Sequence, residues 1–482
     1  MSRASKTIHS PIIVVDLDGT LILSDILAES IFLFLRNHPL QVFAMIGWLL
    51  RGKAYLKMRL ASLVMPDVTL LPYNQQLIEW LIMRRNLGAS LVLATASDIR
   101  VAEAIANHLG IFSEIFATDN GANLASHAKR DILVNKYGEH NFEYVGNSRA
   151  DLPVWRSSSA IYVSNPEPHV VTAVRRLGKI EHIFSNRPPY IRTLIRALRI
   201  HQWAKNLLVF VPLLASHRIL EVPLLLSGLL AFVAFGACAS SVYLLNDLID
   251  LPDDRRHSTK RNRPLAAGTL SIFHALLLMP VLLIGSILLS LWLLPIQFSG
   301  FLAAYYMLTL AYSLWFKRKV MLDVVVLAML YTVRVIAGAA AMSLVTTSWI
   351  LAFCVFIFLS LAFVKRYTEL RDARQHGRND KFAGRGYYPA DFELLASLGG
   401  SSGYISVLVL ALYINDASAG NLYHSPEWMW AACPLLLYWL SRVWLLAHRG
   451  HMHDDPLVFA LRDSISRWVG LLFIAIFALA TV

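Results

Sequence analysis

The sequence predicts a two-domain chain, with an N-terminal doubly wound α/β domain bearing a small helical cap and then an all-α polytopic membrane bundle. Of the 482 residues, 56% are apolar, and the mean hydropathy of +0.52 is too high for a soluble protein of this length. The excess is uneven, because residues 1 to about 190 have an ordinary soluble composition and the remainder alternates apolar blocks with charged loops. We therefore expect domains at 1–180 and 201–482, joined by a linker and surface helix at 181–200.

Charge and cysteine usage argue against two other classes of protein. The formal net charge of +12 could indicate a nucleic-acid partner, but the bases lie between apolar blocks, where cytoplasmic loops of membrane proteins carry them. We therefore expect no nucleic-acid partner. Cys238, Cys354 and Cys433 all lie inside apolar blocks, which indicates neither a disulfide framework nor a zinc site. Residues 1–10 lack the apolar core of a secretion signal.

Polar residues follow three apolar segments of the N-terminal domain that we predict to be strands. Strands that alternate with helical stretches predict a parallel sheet with its site at the carboxyl ends of the strands. A carboxylate at the end of a strand, followed by a turn glycine, commonly presents a nucleophile to phosphate. The predicted strands are Pro11–Val15, Leu91–Ala94 and Phe142–Val145; the polar segments are Asp16–Thr20, Thr95–Ser97 and Gly146–Asp151, with Lys129 between the last two.

These four pieces, in this order, resemble the haloacid-dehalogenase-like phosphohydrolase family over about residues 10–180. The resemblance implies that Asp16 is a nucleophile forming an aspartyl-phosphate and that Asp18 protonates the leaving group. It also implies that Thr95 and Lys129 hold the phosphoryl oxygens. The residues that it assigns to a Mg²⁺ site are Asp16, Asp18, Asn147 and Asp151.

One residue departs from the family pattern. The last motif of the family usually begins with an acidic residue where this chain has Asn147. An amide oxygen can ligate Mg²⁺, but it carries no charge. Two interpretations therefore stay open: a catalytic phosphatase domain, or a degenerate domain kept for packing or regulation.

A helical cap is expected at about residues 25–65, where the family usually selects its substrate. Residues 31–50 are unusually apolar, and four bases follow them. One interpretation is a helix in the bilayer surface with its bases at the lipid headgroups. A cap helix buried within the domain is the alternative. The bases are Arg51, Lys53, Lys57 and Arg59.

About nine apolar segments of the C-terminal part are candidate membrane spans. Loops rich in bases alternate with loops nearly free of them, so the positive-inside rule places the basic loops and the N-terminal domain in the cytoplasm of a bacterial-type inner (plasma) membrane. An odd number of spans then leaves the C-terminus outside. The predicted spans are 206–220, 223–245, 273–295, 297–316, 320–342, 346–364, 400–415, 428–447 and 468–482.

An acidic segment follows the second predicted span. Spacings of three and four residues place its side chains on one helix face. Carboxylates beside a membrane cost several kcal/mol unless they are compensated, and oxygen-ligated divalent cations such as Mg²⁺ are suitable compensation. Pro252 predicts a kink or stop between Asp250 and Asp254. The acidic segment contains Asn246, Asp247, Asp250 and Asp254, and the bases after it include Lys260, Arg261 and Arg263. Carboxylates with bases predict a site for a metal-bound diphosphate.

The acidic segment and the H-x-x-K-R-x-R-P-x-A-A-G that follows it resemble the UbiA-type membrane transferase superfamily, over about residues 190–482. The resemblance implies a Mg²⁺–pyrophosphate site at the acidic segment. Most members transfer a prenyl group from its diphosphate to an aromatic ring. Aromatic prenyltransferases usually carry a second aspartate pair spaced four apart, whereas Asp323, which we include in the metal set, has Leu327 at that spacing.

Three further stretches resemble the decaprenyl-phosphate phosphoribosyltransferase branch, namely 312–334, 365–370 and 453–463. That branch takes phosphoribosyl pyrophosphate as donor and a polyprenyl phosphate as acceptor. Arg334 is informative because a guanidinium inside a span is costly without a partner; pairing with Asp323 is the alternative. The phosphate-binding residues that we predict for this domain are Lys260, Arg261, Arg263, Lys317, Arg334, Lys365 and Arg366.

The sequence thus predicts a Mg²⁺-dependent membrane enzyme acting on a polyprenyl lipid and a pyrophosphate-bearing donor. The membrane domain would transfer phosphoribose, and the N-terminal domain would remove the ribose 5-phosphate. Two alternatives remain: a polyprenyltransferase acting on an aromatic acceptor, and a membrane scaffold with decayed catalytic domains. For two residues a structural role stays open as the alternative to substrate binding. Lys317 can be a positive-inside anchor, and Glu369 can pair with Lys365.

Overall fold

The computed structural model describes residues 10–119, 124–185, 187–375, 386–416, 420, 422–452 and 455–481. The chain forms two compact units. The first unit contains Met1–Ala197 and Leu244–Leu277, and the second contains Leu198–Tyr243 and Leu278–Val482. The segment that carries the acidic residues therefore clusters with the N-terminal part of the chain.

A six-stranded parallel sheet forms the centre of the first unit, as predicted. The strand order is β3-β2-β1-β4-β5-β6, and β1 lies between β2 and β4. Val14 of β1 aligns with Val92 and Tyr144 of its neighbours. The apolar runs are nearly continuous because helices cover both faces of such a sheet. The strands are β1 (Ile12–Val15), β2 (Ser90–Asp98), β3 (Glu114–Thr118), β4 (Glu143–Gly146), β5 (Ala160–Ser164) and β6 (Ile180–Phe184).

Helices connect these strands. Three of them, between β1 and β2, form the predicted cap: α1 (Ile26–Asn37), α2 (Val42–Leu50) and α3 (Lys53–Leu63). Asp25 fixes the start of α1, since its side chain accepts a hydrogen bond from the Ala28 amide at 2.9 Å. The remaining helices are α4 (Gln75–Asn86), α5 (Ile99–Leu109), α6 (His127–Tyr137), α7 (Leu152–Ser157), α8 (Val170–Arg175) and α9 (Tyr190–Ala197).

Of the two alternatives for the apolar cap segment, a helix buried within the domain is wrong for α2. All nine of its residues are apolar or glycine, and none of them is buried. Its side chains meet the small cap core on one face only, so the other face is exposed.

Helices of five to 28 residues make up most of the rest of the described chain. They are α10 (Val211–Ala215), α11 (Val222–Ile249), α12 (Leu251–Arg256), α13 (Ile272–Leu293), α14 (Ile296–Leu314), α15 (Leu322–Ala341), α16 (Ser348–Gln375), α17 (Phe392–Ile414), α18 (Ala432–Arg449), α19 (Pro456–Arg462) and α20 (Ser464–Thr481). Of these, α15 is the most enclosed candidate span, because its neighbours in the second unit cover most of its residues.

Seven helical segments in the described part of the chain are long and apolar enough to cross a membrane, rather than the nine predicted. The predicted span 206–220 is a 3₁₀ segment, Ile200–Phe210, followed by the five-residue α10, which is too short to cross. Helix α14 has 19 residues, but Gln, Ser, Thr and Tyr side chains interrupt its apolar ones. The seven are Val222–Ile249, Ile272–Leu293, Leu322–Ala341, Ser348–Asp372, Phe392–Ile414, Pro426–Arg449 and Ser464–Thr481.

Candidate active sites

Three polar segments of the first unit meet at one edge of its sheet. Asp16 directly follows β1, Thr95 lies in β2, and Asn147 follows β4. Because β1 lies between β2 and β4 and all three run parallel, their carboxyl ends adjoin. The sequence prediction of one shared site edge is therefore matched by the sheet order.

Lys129 joins two of these segments. Its Nζ donates to Asp16 Oδ1 at 2.7 Å and lies 3.6 Å from Asp151 Oδ1. The same nitrogen donates to the Tyr144 hydroxyl at 3.1 Å, and that hydroxyl donates to Asp151 Oδ1 at 2.6 Å. All four side chains are buried. Tyr144 was missed by the sequence analysis, because a single tyrosine in an apolar strand carries no spacing signal.

Asp151 orients the loop after β4. Its Oδ2 accepts hydrogen bonds from the amides of Asn147 and Ser148 at 3.1 and 3.0 Å, and from the Ser148 hydroxyl at 3.2 Å. Since protein donors engage both carboxylate oxygens, this arrangement supports a positioning role for Asp151 and gives no support to its predicted role as a metal ligand.

The two aspartates of the D-L-D-G-T segment have different environments. Burial raises the pKa of Asp16 to about 6, although the charge of Lys129 opposes the shift. Burial, with the nearby charge of Asp25, raises the pKa of Asp18 to about 7. Asp18 Oδ1 accepts from the Ile26 amide at 2.7 Å and its Oδ2 from the Ser97 hydroxyl at 2.8 Å. The protonated form is thus favoured more at Asp18 than at Asp16, which has the charge of Lys129 beside it.

Thr95 and Asn147 complete this edge. The Thr95 hydroxyl is fully buried and accepts a hydrogen bond from the Ser97 amide at 3.0 Å. The Asn147 side chain lies against Gly19, which has a left-handed φ of 73°. A Cβ at position 19 would overlap the Asn147 amide, so only glycine fits there.

The donor set of this edge fits a divalent cation in charge and chemistry. Asp16 is buried, Asp18 is half-buried, and the buried Lys129 contacts Asp16; Asp151 is also buried, but protein donors occupy both of its oxygens. Carboxylate and amide oxygens are suitable Mg²⁺ ligands. Among the described residues, no three His, Cys, Asp or Glu side chains are grouped as metal ligands.

The acidic segment of the first unit lies at the junction of α11 and α12. The break falls at Asp250, just before the predicted interval, and places Pro252 in the first turn of α12, where its missing N–H costs no helical bond. One guanidinium nitrogen of Arg263 lies 3.1 Å from Asp247 Oδ1 and 2.6 Å from Asp254 Oδ2. Two of the predicted ligands, one on each side of the helix break, thus converge on a single cationic group.

The remaining residues of this segment are less buried. Asn246 and Asp250 are half-buried, and Lys260 and Arg261 lie exposed in the 3₁₀ turn Lys260–Asn262. The carboxylate oxygens of Asp247 and Asp254, which meet at the Arg263 guanidinium, are also the kind of ligand that Mg²⁺ prefers.

A buried ion pair links the acidic segment to the cap within the first unit. Arg255 makes two parallel contacts with Glu29 of α1, at 2.6 and 3.1 Å, and its Nε donates to the Ala266 carbonyl at 3.2 Å. Both side chains are under a tenth exposed. The sequence does not predict this pair, because nothing in the spacing connects residues so far apart.

A second cluster of charges lies in the second unit, around Asp455. Its Oδ2 accepts from Lys205 at 2.8 Å and from Lys365 at 3.1 Å, and the Tyr331 hydroxyl donates to it at 3.0 Å. Burial would raise the pKa of Asp455, but the charges of the two lysines outweigh burial and hold the pKa well below its ordinary value. Asp455 belongs to the stretch 453–463 but was not singled out; His453 and Asp454 lie outside the described residues.

Arg334 is buried in the second unit, and the alternative that it pairs with Asp323 is wrong. Its three nitrogens donate to Asn206 Oδ1 at 3.0 Å, the Tyr305 hydroxyl at 2.8 Å and the Leu330 carbonyl at 2.5 Å. Within the described part of the chain, no carboxylate forms an ion pair with Arg334, since Asp323 pairs with Arg366 instead. In the same described part, Asn206 Nδ2 is buried and has no hydrogen-bond partner. The two side chains therefore present buried donors and an unbalanced positive charge.

Two predicted site residues pair with each other instead. Arg366 forms an ion pair with Asp323, and both are almost fully buried. The Tyr387 hydroxyl donates to the other oxygen of Asp323 at 2.6 Å. This pairing supports neither Asp323 as a metal ligand nor Arg366 as a phosphate ligand. Glu369 accepts from Arg366 at 2.6 Å. Lys317 lies half-buried in the turn Phe316–Arg318.

Known proteins resemble both parts of the chain. The protein y4nM of Sinorhizobium fredii is 36% identical over 97% of this chain and 90% of its own length. The decaprenyl-phosphate phosphoribosyltransferase of Mycolicibacterium smegmatis is 29% identical over 59% of this chain and 92% of its own.

Solved structures are similar to each part at low identity. A UbiA homolog from Archaeoglobus fulgidus, bound to DMAPP and Mg²⁺, is 18% identical and covers 60% of this chain and 99% of its own, with a TM-score of 0.45. A HAD family hydrolase from Salmonella enterica is 17% identical and covers 36% of this chain and 67% of its own, with a TM-score of 0.28.

The family model described as the UbiA prenyltransferase family matches residues 207–465, which is more than half of the chain. The seven apolar helices agree with an integral membrane protein. The chain belongs to the UbiA prenyltransferase family.

Proposed function

We propose that the membrane domain transfers a phosphoribosyl group from phosphoribosyl pyrophosphate to a polyprenyl phosphate. We further propose that the N-terminal domain then removes the ribose 5-phosphate. The similarity to a relative named decaprenyl-phosphate phosphoribosyltransferase supports the first reaction. An integral membrane protein with its N-terminal domain in the cytoplasm would have both substrates within reach.

The buried hydrogen-bond donors of Arg334 and Asn206 favour an acceptor substrate that is anionic, like the donor. A buried guanidinium without a carboxylate is costly unless an anion compensates it. An aromatic acceptor is neutral and would leave that charge uncompensated, whereas a phosphate oxygen would accept from both side chains. Lys205 and Lys365, which share Asp455, add positive charge to the same unit.

The acidic segment would bind the diphosphate of the donor. Mg²⁺ held by Asn246, Asp247, Asp250 and Asp254 would neutralise the leaving pyrophosphate and act as a Lewis acid. Arg263 bridges Asp247 and Asp254, so it keeps these two carboxylates close together. Lys260 and Arg261 are exposed beside this segment and would stabilise the charge that develops on the leaving group.

The phosphatase reaction divides between two aspartates. Asp16 attacks the phosphorus, and a bond from phosphorus to its carboxylate forms as the bond to the ribose oxygen breaks. Asp18 gives its proton to that oxygen, then takes a proton from the water that hydrolyses the aspartyl-phosphate. Lys129 orients Asp16 through their 2.7 Å contact. Thr95 would hold a phosphoryl oxygen.

A second candidate is transfer of a polyprenyl group from its diphosphate to an aromatic acceptor. The description of the matching family as prenyltransferases favours it. The burial of Asp323 in an ion pair with Arg366 weighs against prenyl transfer. Aromatic prenyltransferases usually carry a second pair of aspartates for the metal, and Asp323 does not supply one here.

The coupled reaction can be tested with labelled phosphoribosyl pyrophosphate and polyprenyl phosphate on the purified protein. We expect ribolipid to form, and Asp16→Asn to accumulate the phosphorylated form at an unchanged rate of transfer. If ribolipid forms but Asp16→Asn gives the same ratio of phosphorylated to free ribose, the N-terminal domain does not act on this product.

A further inference from the structure

The outer face of the cap is an exposed apolar surface. Leu40, Phe43 and Leu50 are 91%, 80% and 85% exposed, and Ile46 and Leu49 are each about half exposed. Between Ser30 and Pro66 the sequence contains no acidic residue, although it contains five bases. Contiguous apolar surface of this kind on a folded domain marks a site of interaction.

Helix α2 is apolar on both of its faces. Met45 and Trp48, three residues apart, pack against the cap core of Phe34, Leu56, Leu60 and Val64. Phe43, Ile46 and Leu50 share the spacing of the opposite face, which is exposed. A helix that is apolar all round is normally enclosed by protein or by lipid. Because α2 has only nine residues, it is too short to span a bilayer, which needs about 20.

We propose that α2 lies in the boundary between headgroups and acyl chains of the bilayer that this same chain spans. Arg51, Lys53 and Arg59 follow the helix and are exposed, so they would meet anionic lipid headgroups. The tethered spans keep a bilayer at high effective concentration near the cap. A second copy of the chain fits the exposed face of α2 less well, because the basic residues beside α2 in the two copies would repel each other.

The position of the cap gives this contact a consequence for the phosphatase. Lys57 of α3 donates to the Ala96 carbonyl at 2.8 Å, and Arg100 donates to the Met58 carbonyl at 3.0 Å. Ala96 lies between Thr95 and Ser97, so the cap covers the edge at which Asp18 lies. A cap that contacts lipid would select a phosphate carried on a membrane lipid. This specificity rests on the phosphatase proposed above; the membrane contact does not.

Spin labels can measure the depth of α2 in the full chain. The variants Phe43→Cys and Ile46→Cys are labelled and reconstituted into phosphatidylcholine vesicles that contain phosphatidylglycerol. Asp131→Cys, at an exposed position of α6, is the control, and the unsubstituted protein with its buried cysteines gives the background. We expect labels at 43 and 46 to collide with oxygen and be protected from a water-soluble nickel chelate, and the label at 131 to show the reverse.

Two results would overturn the membrane contact. One is nickel accessibility at 43 and 46 equal to that at 131. The other is dipolar broadening between labels at 43 that grows with the protein-to-lipid ratio, which would assign the face to a second copy.

Substrate selection is tested separately with the double variant Phe43→Ser, Leu50→Ser. We expect phosphate release from phosphoribosyl lipid in vesicles to fall several-fold, with release from soluble ribose 5-phosphate unchanged. Equal changes for the two substrates would refute lipid selection by the cap. If the unsubstituted protein hydrolyses neither substrate, the proposed phosphatase fails, while the depth measurement still decides the membrane contact.

Discussion

Lys129 is a buried cation that lies against two buried carboxylates, Asp16 and Asp151, at the edge of the sheet. Its contacts with Asp16 and Asp151 are both under 4 Å, and its side chain is 5% exposed. Removing one partner of a buried ion pair leaves an uncompensated charge, at a cost of about 3–5 kcal/mol. Lys129 therefore stabilises the site as well as orienting Asp16.

We predict that Lys129→Met destabilises the first unit by about 3–5 kcal/mol. Lys136→Met is the control, because Lys136 lies on the same helix but is 45% exposed in its pair with Glu114, and exposed pairs contribute about 0–1 kcal/mol. Amide hydrogen exchange of β1 and β4 measures the difference. Equal protection of these strands in the two variants would contradict the role of Lys129.

Arg334 gives a prediction for the second unit. We expect Arg334→Gln to raise the KM for an anionic substrate at least tenfold, or about 1.4 kcal/mol, because the loss removes a charge-assisted donor. Arg318→Gln changes the same residue type at an exposed position and should leave KM unaltered. A KM that stays unchanged in Arg334→Gln would mean that the buried guanidinium is structural.

Among single residues, the sequence predicted those site residues that belong to motifs with a fixed order along the chain. Asp16, Lys129 and Asp151 meet as expected, because parallel strands bring their carboxyl ends together. Tyr144, Asn206 and Asp455 were missed as site residues, since each takes its importance from partners distant in sequence. Asp323 was assigned to the metal and Arg366 to a substrate phosphate, although they pair with each other across 43 positions.

Helices α1 and α12 are joined by the Glu29–Arg255 pair, which fixes the acidic segment to the cap of the first unit. At the start of α1, the Ile26 amide donates a hydrogen bond to Asp18, and the charge of Asp25 raises the pKa of Asp18. In α12, Asp254 of the acidic segment directly precedes Arg255. The two candidate sites of the first unit are thus connected through two helices.

We predict that Glu29→Gln and Arg255→Gln each weaken the attachment of α12 by about 3–5 kcal/mol, and that exchanging the two charges restores part of it. The exposed pair Arg256–Asp67 is the control, because pairs of that kind contribute about 0–1 kcal/mol. Hydrogen exchange of 251–256 reports the effect. Native-like protection in both single variants would refute the attachment.

At the scale of elements, three of the six strands were predicted, because polar motifs follow them. Strands β3, β5 and β6 carry no such motif and were not singled out. The exposure of α2 was left open, since a helix that is apolar on every side gives no moment to distinguish a protein core from a lipid surface. The break at Asp250 was predicted closely because Pro252 has a local effect.

The chain carries an α/β fold with a parallel sheet and a helical part that belongs to the UbiA family. Apolar composition predicted domains at 1–180 and 201–482, whereas Leu244–Leu277 clusters with the N-terminal part of the chain, and composition also overcounted the spans. A segment such as 206–220 is apolar enough to suggest a span, yet it forms 3₁₀ turns and a five-residue helix. Composition does not reveal such turns, because they depend on contacts with the neighbouring helices.

The central claim is that the acidic segment binds a Mg²⁺-bound diphosphate whose donor carries phosphoribose. The most direct measurement compares turnover of phosphoribosyl pyrophosphate and of prenyl diphosphates by the unaltered protein and by Asp250→Asn, each with Mg²⁺ and after its removal. We expect turnover of phosphoribosyl pyrophosphate alone, lost on removal of Mg²⁺ and strongly reduced in Asp250→Asn. Turnover of a prenyl diphosphate instead, or full activity in Asp250→Asn, would contradict it.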